Sequence, residues 1–284
     1  MHTQIITFDQ VCDAYLTNTG FQDDPQAVMT TTEVLTTALV AAFFFANNLR
    51  LSRQALTESG LVPRMLSESR FNRRWHKITH ADWQAILTLL AEQYPQDTFV
   101  VDSCPIAVCH NRRAKRCRLY QDAGGAYWGY CAAKQEYFYG LKAHAIVTAS
   151  GRPVAVLLLC GCSADLTGLK EMELNLPEGA KLYADKANTD YAYETDLQDQ
   201  NKITLLAVRK SNCTRPHEQE VAKMLSQGRK RIETTFSQMS AKLPRRIAAV
   251  TSAGFESKVL ALFVALAICC AENEKNADTR RVAS

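Results

Sequence analysis

At 284 residues, 47% of them hydrophobic, with a formal net charge of +4, the chain has the size and composition of one large globular domain or two modest ones. Its two most apolar runs, residues 34–46 and 259–271, fall short of the roughly 20 residues needed to cross a bilayer, so both are expected to be buried helices and no membrane association is expected. The start, Met1-His2-Thr3-Gln4, shows no basic segment leading into an apolar one, and the ten cysteines are scattered rather than paired, which together point to the cytosol and to reduced thiols.

Residues 1–94 read as helical throughout. Candidate helices cover residues 8–17, 33–47 and 52–60, and Pro63 is placed to open another after the Gly60 turn, in the outline of a helix-turn-helix. Residues 67–77 carry the more pointed signal. Arg70, Arg73, Arg74 and Lys77 recur at i, i+3, i+4, i+7, while Phe71, Trp75 and Ile78 repeat on a neighbouring face. One face can pack and the other can meet DNA phosphates, so these four basic residues are candidate DNA contacts. A helix over residues 81–93 closes this half. His76 and His80 are four apart, but Thr79 breaks the helix between them.

After Pro95 the periodicity shortens. Residues 98–102 form an apolar strand expected to stop at Asp102, before Ser-Cys-Pro. Cys104, Cys109, His110 and Cys117 follow without the paired spacing of a zinc site. Arg112, Arg113, Lys115, Arg116 and Arg118 crowd an exposed connection that ends near Gly124-Gly125, and this knot is a second candidate DNA surface. Strands are expected at residues 137–148 and 153–160, joined by Ser150-Gly151. Asp165 reads as the cap of a helix over residues 166–174. A fourth strand, residues 181–185, again ends on a carboxylate, Asp185.

A helix over residues 189–198 and a strand over 203–208 precede helical residues 218–242, which hold Arg229, Lys230, Arg231 and Glu233. A third basic knot comprises Lys242, Arg245 and Arg246. The order of elements predicts an α/β fold: a mixed five-stranded sheet flanked by helices, preceded by an all-α region. The expected domains are residues 1–94, 95–271 and a loose tail, 272–284.

Asp102, Asp185 and Glu233 thus stand on three separate elements of one domain. Three carboxylates facing one cleft repel one another unless cations lie between them, and hard oxygen ligands suit Mg²⁺, with Mn²⁺ as a substitute. In these surroundings the chain resembles the DDE-type transposases of bacterial insertion sequences. The residues that carry the resemblance are Val100-Val-Asp-Ser103, Leu182-Tyr-Ala-Asp-Lys-Ala187 and Arg229-Lys-Arg-Ile-Glu-Thr-Thr-Phe236. Tyr137-Phe-Tyr-Gly-Leu-Lys-Ala-His144, Thr31-Thr-Glu-Val-Leu-Thr36 and Ser69-Arg-Phe-Asn-Arg-Arg74 are also similar.

The resemblance implies an RNase H-like catalytic domain in which Asp102, Asp185 and Glu233 are the catalytic residues and hold two ions roughly 4 Å apart for strand nicking and strand transfer. It implies double-stranded DNA as partner, as terminal inverted repeats and as target, and a homodimer in the DNA complex. Arg229 and Lys230, with Lys142 or His144, are candidates to lie near the DNA. Many relatives carry a Tyr three residues before the Arg and a Lys seven after the Glu; here those positions hold Ser226 and Ser240, so the roles of that Tyr and Lys do not transfer. A nuclease of the same fold without strand transfer, or a DNA-binding remnant, are the other readings.

Overall fold

The computed structural model describes residues 1–121, 124–132, 134–209, 213–243 and 247–282. Contacts divide the chain into two units, residues 1–90 with 239–284, and residues 91–238. The expected division kept residues 239–271 with the sheet instead.

Five helices come first: α1 (His2–Asn18), α2 (Thr31–Phe44), α3 (Leu49–Glu58), α4 (Glu68–Trp75) and α5 (His80–Gln93). Local chemistry sets their limits. Thr30 and Glu33 form a reciprocal capping box that starts α2. Ala46 and Asn47, at φ +48 and +64, then stop it and turn the chain through 112° into α3. Gly60, at φ +73, lets the Val62 N–H return to the Leu56 carbonyl, so residues 61–66 close α3 and no helix begins at Pro63. Thr79 and Asp82 cap α5, as its place between two helices suggested.

The second unit holds β1 (Thr98–Cys109), β2 (Trp128–Cys131), β3 (Glu136–Thr148), β4 (Pro153–Cys160), α6 (Asp165–Glu171), β5 (Lys181–Ala184), α7 (Tyr191–Asn201) and β6 (Thr204–Ala207). Then come α8 (Gln219–Lys242) and α9 (Ser252–Val282). β1 is central, antiparallel to β3 and parallel to β5, which is parallel to β6; β2 and β4 share the far edge of β3. This is the mixed sheet of an RNase H-like fold, with six strands rather than five. The added β2, Trp-Gly-Tyr-Cys, has no apolar run to announce it, and it pairs with the protruding start of β3.

β1 also outruns its expected end. It continues through Pro105 to Cys109, paired all the way with β3, whereas β5 stops at Ala184 opposite Val101. The carbonyl of Asp97 accepts from Lys181 on β5 and that of Thr98 accepts from Ala149 beyond β3, so odd-numbered residues of β1 turn their backbone groups toward β5. The missing N–H of Pro105 therefore falls on the side that has no partner there.

One face of this sheet buries Phe99, Val101, Leu182, Ala184 and Leu205 against Leu169, Met172 and Leu197. Those three come from α6, its end and α7. In the first unit α9 packs on α1 and α2. Its stretch Ser252–Ala277 is long and apolar enough to cross a membrane, but 72% of its apolar window is buried inside the molecule, as for a core helix. α9 runs on to Val282, through most of the segment expected to be a loose tail.

Candidate active site

Alternation along β1 separates two neighbouring side chains. Val100 lies under α8, where a Cβ added at Gly228 would come within 3.1 Å of it and 2.9 Å of Tyr183. Asp102 and Asp185 share the parity of Val100 and Tyr183, and they are the first residues past the point where β1 and β5 stop pairing. Gly228 lets α8 come down on the sheet. Two turns later the Thr235 hydroxyl bonds the Gly151 carbonyl at 2.8 Å and pins the helix again. Arg229 and Glu233 lie between these two anchors.

The guanidinium of Arg229 donates to Asp185 at 2.9 Å and to Glu233 at 3.1 Å. Asp185 also caps the 3-10 turn Lys186–Asn188, accepting from the Lys186 N–H at 2.7 Å. Among the described residues, Asp102 is held by the backbone N–H of Ser103, at 2.8 Å. Burial pushes its carboxyl up to about 6; the charges of Asp165 and Asp185 add to this, and the Ser103 N–H and Arg229 oppose it. Burial works against the charge on Arg229, but Glu233, Asp185 and Asp102 outweigh it and hold that group above its ordinary value. Asp185 and Glu233 are thus joined through one cation, and Asp102 is close enough to feel it.

On the opposite parity, Ser103 donates to Asp165 at 2.5 Å, and Lys142 donates to Asp165 at 3.0 Å and to the Ser163 carbonyl at 2.9 Å. Asp165 does not cap α6, as the sequence suggested; Ala164 stands at that position without a side-chain bond. Burial alone would raise Asp165, yet Ser103 and Lys142 hold it below the usual carboxylate range. His144 is buried against α6, where an added Cβ at Gly168 would lie 2.1 Å from its Nδ1. Burial, with the charge of Lys142, lowers His144 to about 4 against the opposing pull of Asp165, so it is neutral near pH 7. Asp165 is the member of this neighbourhood that sequence reasoning missed. Its signal was weak: a third Asp soon after an apolar strand, in a context that also suits a cap.

Among the described residues, no three His, Cys, Asp or Glu side chains are grouped to hold a metal directly. The donor set nevertheless suits a hard divalent cation. Asp102 is a half-buried carboxylate with no cation among the described residues bonded to it, and Arg229 supplies positive charge between the other two.

The basic candidates have different fates. Arg74 is tied to Asp23 at 2.6 Å, to Thr31 and to the Met29 carbonyl, so it clasps the segment before α2. Arg70, Arg73 and Lys77 are exposed and line a groove of about 940 Å³ with Phe21 and Val28. Arg112, Arg113, Lys115 and Arg116 are exposed on the 3-10 turn Asn111–Arg116, and Lys230 is exposed on α8. Arg245 and Arg246 of the third knot lie outside the described residues. All ten cysteines are free thiols.

No curated protein and no solved structure matches the chain. A family described as the transposase DDE domain matches residues 93–244, more than half of the chain and the whole of the sheet. The chain therefore belongs to the transposase DDE-domain family.

Proposed function

We propose that this protein binds the ends of its own insertion sequence and catalyses metal-dependent cleavage and strand transfer there. The observation that supports it most is the meeting of Asp185 and Glu233 on Arg229, with Asp102 near enough for its charge to act there, at the place where β1 and β5 separate. Asp102, Asp185 and Glu233 would hold Mg²⁺ or Mn²⁺, two ions in all. Such ions supply activation of a water or 3′-hydroxyl and stabilise the leaving oxygen of a phosphodiester. Arg229 and Lys230 would lie along the DNA backbone, and Arg229 would exchange carboxylate for phosphate as a bidentate donor.

Arg70, Arg73 and Lys77 would position duplex DNA through its phosphates, with Arg74 holding their helix in place, and Arg112, Arg113, Lys115 and Arg116 would contact DNA phosphates. Pairing two element ends requires at least two copies, so a homodimer in the DNA complex is expected. The compartment that fits chromosomal DNA and free thiols is the cytosol.

The test is incubation of purified protein with a labelled element end and Mg²⁺. Cleavage followed by joining is the expected result. Cleavage without joining would leave a nuclease, and a mobility shift without cleavage a DNA-binding remnant. Cleavage that survives Asp102→Asn would remove Asp102 from the site.

A further inference from the structure

The β2–β3 ribbon presents aromatic rings to solvent. Tyr130 and Tyr137 face each other across the two strands with ring centres 5.0 Å apart, and they are 52% and 64% exposed. Trp128, 38% exposed, packs on Tyr139 at 5.4 Å on the same face. A protein of this size has ample core in which to bury three such rings, so leaving them outside is informative.

The base of the ribbon also packs closely on the sheet. A Cβ at Gly129 would come within 2.2 Å of the Gly161 carbonyl, and one at Gly161 within 2.7 Å of the Tyr127 carbonyl. Backbone bonds from Gly140 to Tyr127 and from Cys162 to Ala126 seat it on the sheet.

The basic knot borders these rings. The Asn111 side chain donates to the Tyr137 carbonyl, and the Tyr139 hydroxyl donates to the Leu119 carbonyl, so the segment between them is bracketed by the ribbon. That segment carries Arg112, Arg113, Lys115, Arg116 and Arg118, all exposed and, among the described residues, without an ion pair. Flat rings beside exposed cations match a chain of bases on phosphates. A duplex offers phosphates but keeps its base faces stacked inside, whereas a single strand offers both.

We infer that the β2–β3 ribbon binds single-stranded DNA, with unpaired bases stacked on Tyr130, Tyr137 and Trp128 and their phosphates on the residue 112–118 knot. On the transposase reading, on which the role rests, this strand is DNA unpaired at an element end.

The test uses the full chain and three probes: a short labelled oligo(dT), an oligonucleotide of the same length made of abasic residues, and a duplex element end. Oligo(dT) is expected to quench the fluorescence of Trp128, while Trp75 and Trp83 are buried. Tyr130→Ala with Tyr137→Ala should weaken oligo(dT) binding at least about tenfold and leave duplex binding unchanged. The abasic probe should bind wild type about as weakly as oligo(dT) binds that variant. Tyr130→Phe with Tyr137→Phe should retain binding, which separates lost stacking from lost fold. Replacing Arg112, Arg113 and Lys115 by Ala should flatten the salt dependence of oligo(dT) binding by about 2 in log–log slope.

Equal binding of abasic and dT probes would overturn the inference. So would a double Ala variant that loses self-association in sedimentation but keeps oligo(dT), which would make the ribbon an interface between copies. Asp102→Asn should abolish end cleavage and keep oligo(dT) binding; wild type that binds oligo(dT) as expected but cleaves nothing would sink the transposase reading alone.

Discussion

Asp102 and Ser103 are consecutive, yet they open onto two differently built neighbourhoods. On the Ser103 side, Asp165 is matched by Lys142 and by a hydroxyl, and its charge is settled. On the Asp102 side, a carboxylate is desolvated and left with one backbone N–H. The difference separates a carboxylate whose charge is paired within the fold from one that, among the described residues, has no cation bonded to it and that the proposed function makes a metal ligand. Two acidic residues that feel each other's charge need not share a role.

The sharpest way to break this distinction is a pair of cleavage assays. Loss of a metal-ligating carboxylate removes several kcal/mol of transition-state stabilisation, so Asp102→Asn should lower the cleavage rate by about 10³-fold or more. Asp165→Asn should cost only about 10–100-fold, as expected for a residue acting through others. Equal losses would erase the difference.

Next in size is the packing on the Ser103 side. Gly168→Ala forces a methyl into the His144 ring and should cost about 3 kcal/mol, read as a lower urea midpoint. The same side governs acid sensitivity. His144 is held neutral, so the unfolded chain binds the extra proton between its ordinary value of 6.5 and about 4. That contribution, about 3 kcal/mol at most, is complete above pH 6.5 and is lost as the pH falls toward 4.

Asp102 carries the opposite sign. Its folded value lies above the unfolded one, so its contribution is present below the ordinary 3.8 and lost as the pH rises through about 6. Asp102→Asn should therefore stabilise the protein by about 1–3 kcal/mol at pH 7.5 and leave it unchanged near pH 3.5. Urea unfolding at the two pH values checks both terms. Mg²⁺ should stabilise wild type and not Asp102→Asn. The smallest effect is expected at Gly228. A Cβ there meets Tyr183 at 2.9 Å, so Gly228→Ala should cost about 1 kcal/mol while displacing Arg229 enough to slow cleavage.

Much of the fold is legible because burial writes itself into runs of residues. β4, Pro153–Cys160, is apolar from end to end and is bounded by Gly151 and Gly161. What stayed hidden depends on partners distant in sequence. Pro105 reads as a strand breaker, and only the early end of β5 makes it harmless. The spacing of Arg74 places it on a helix face but says nothing of Asp23, 51 residues away. Asp185 stands out because its strand is short and ends beside it, while Asp165 has the sequence context of a cap. β2 owes its existence to the overhang of β3, which no local pattern announces.

The first unit takes its residues from both sides of the sheet unit in sequence, and this orders events on the ribosome. Residues 1–90 emerge first, with the apolar face of α2 still without α9. The sheet unit, contiguous in sequence, is complete before that cover arrives. A stop codon or frameshift within residues 91–238 therefore yields a chain in which α2 lacks its packing against α9, a substrate for proteases and chaperones. Truncated copies of the chain would be removed rather than persist as folded fragments.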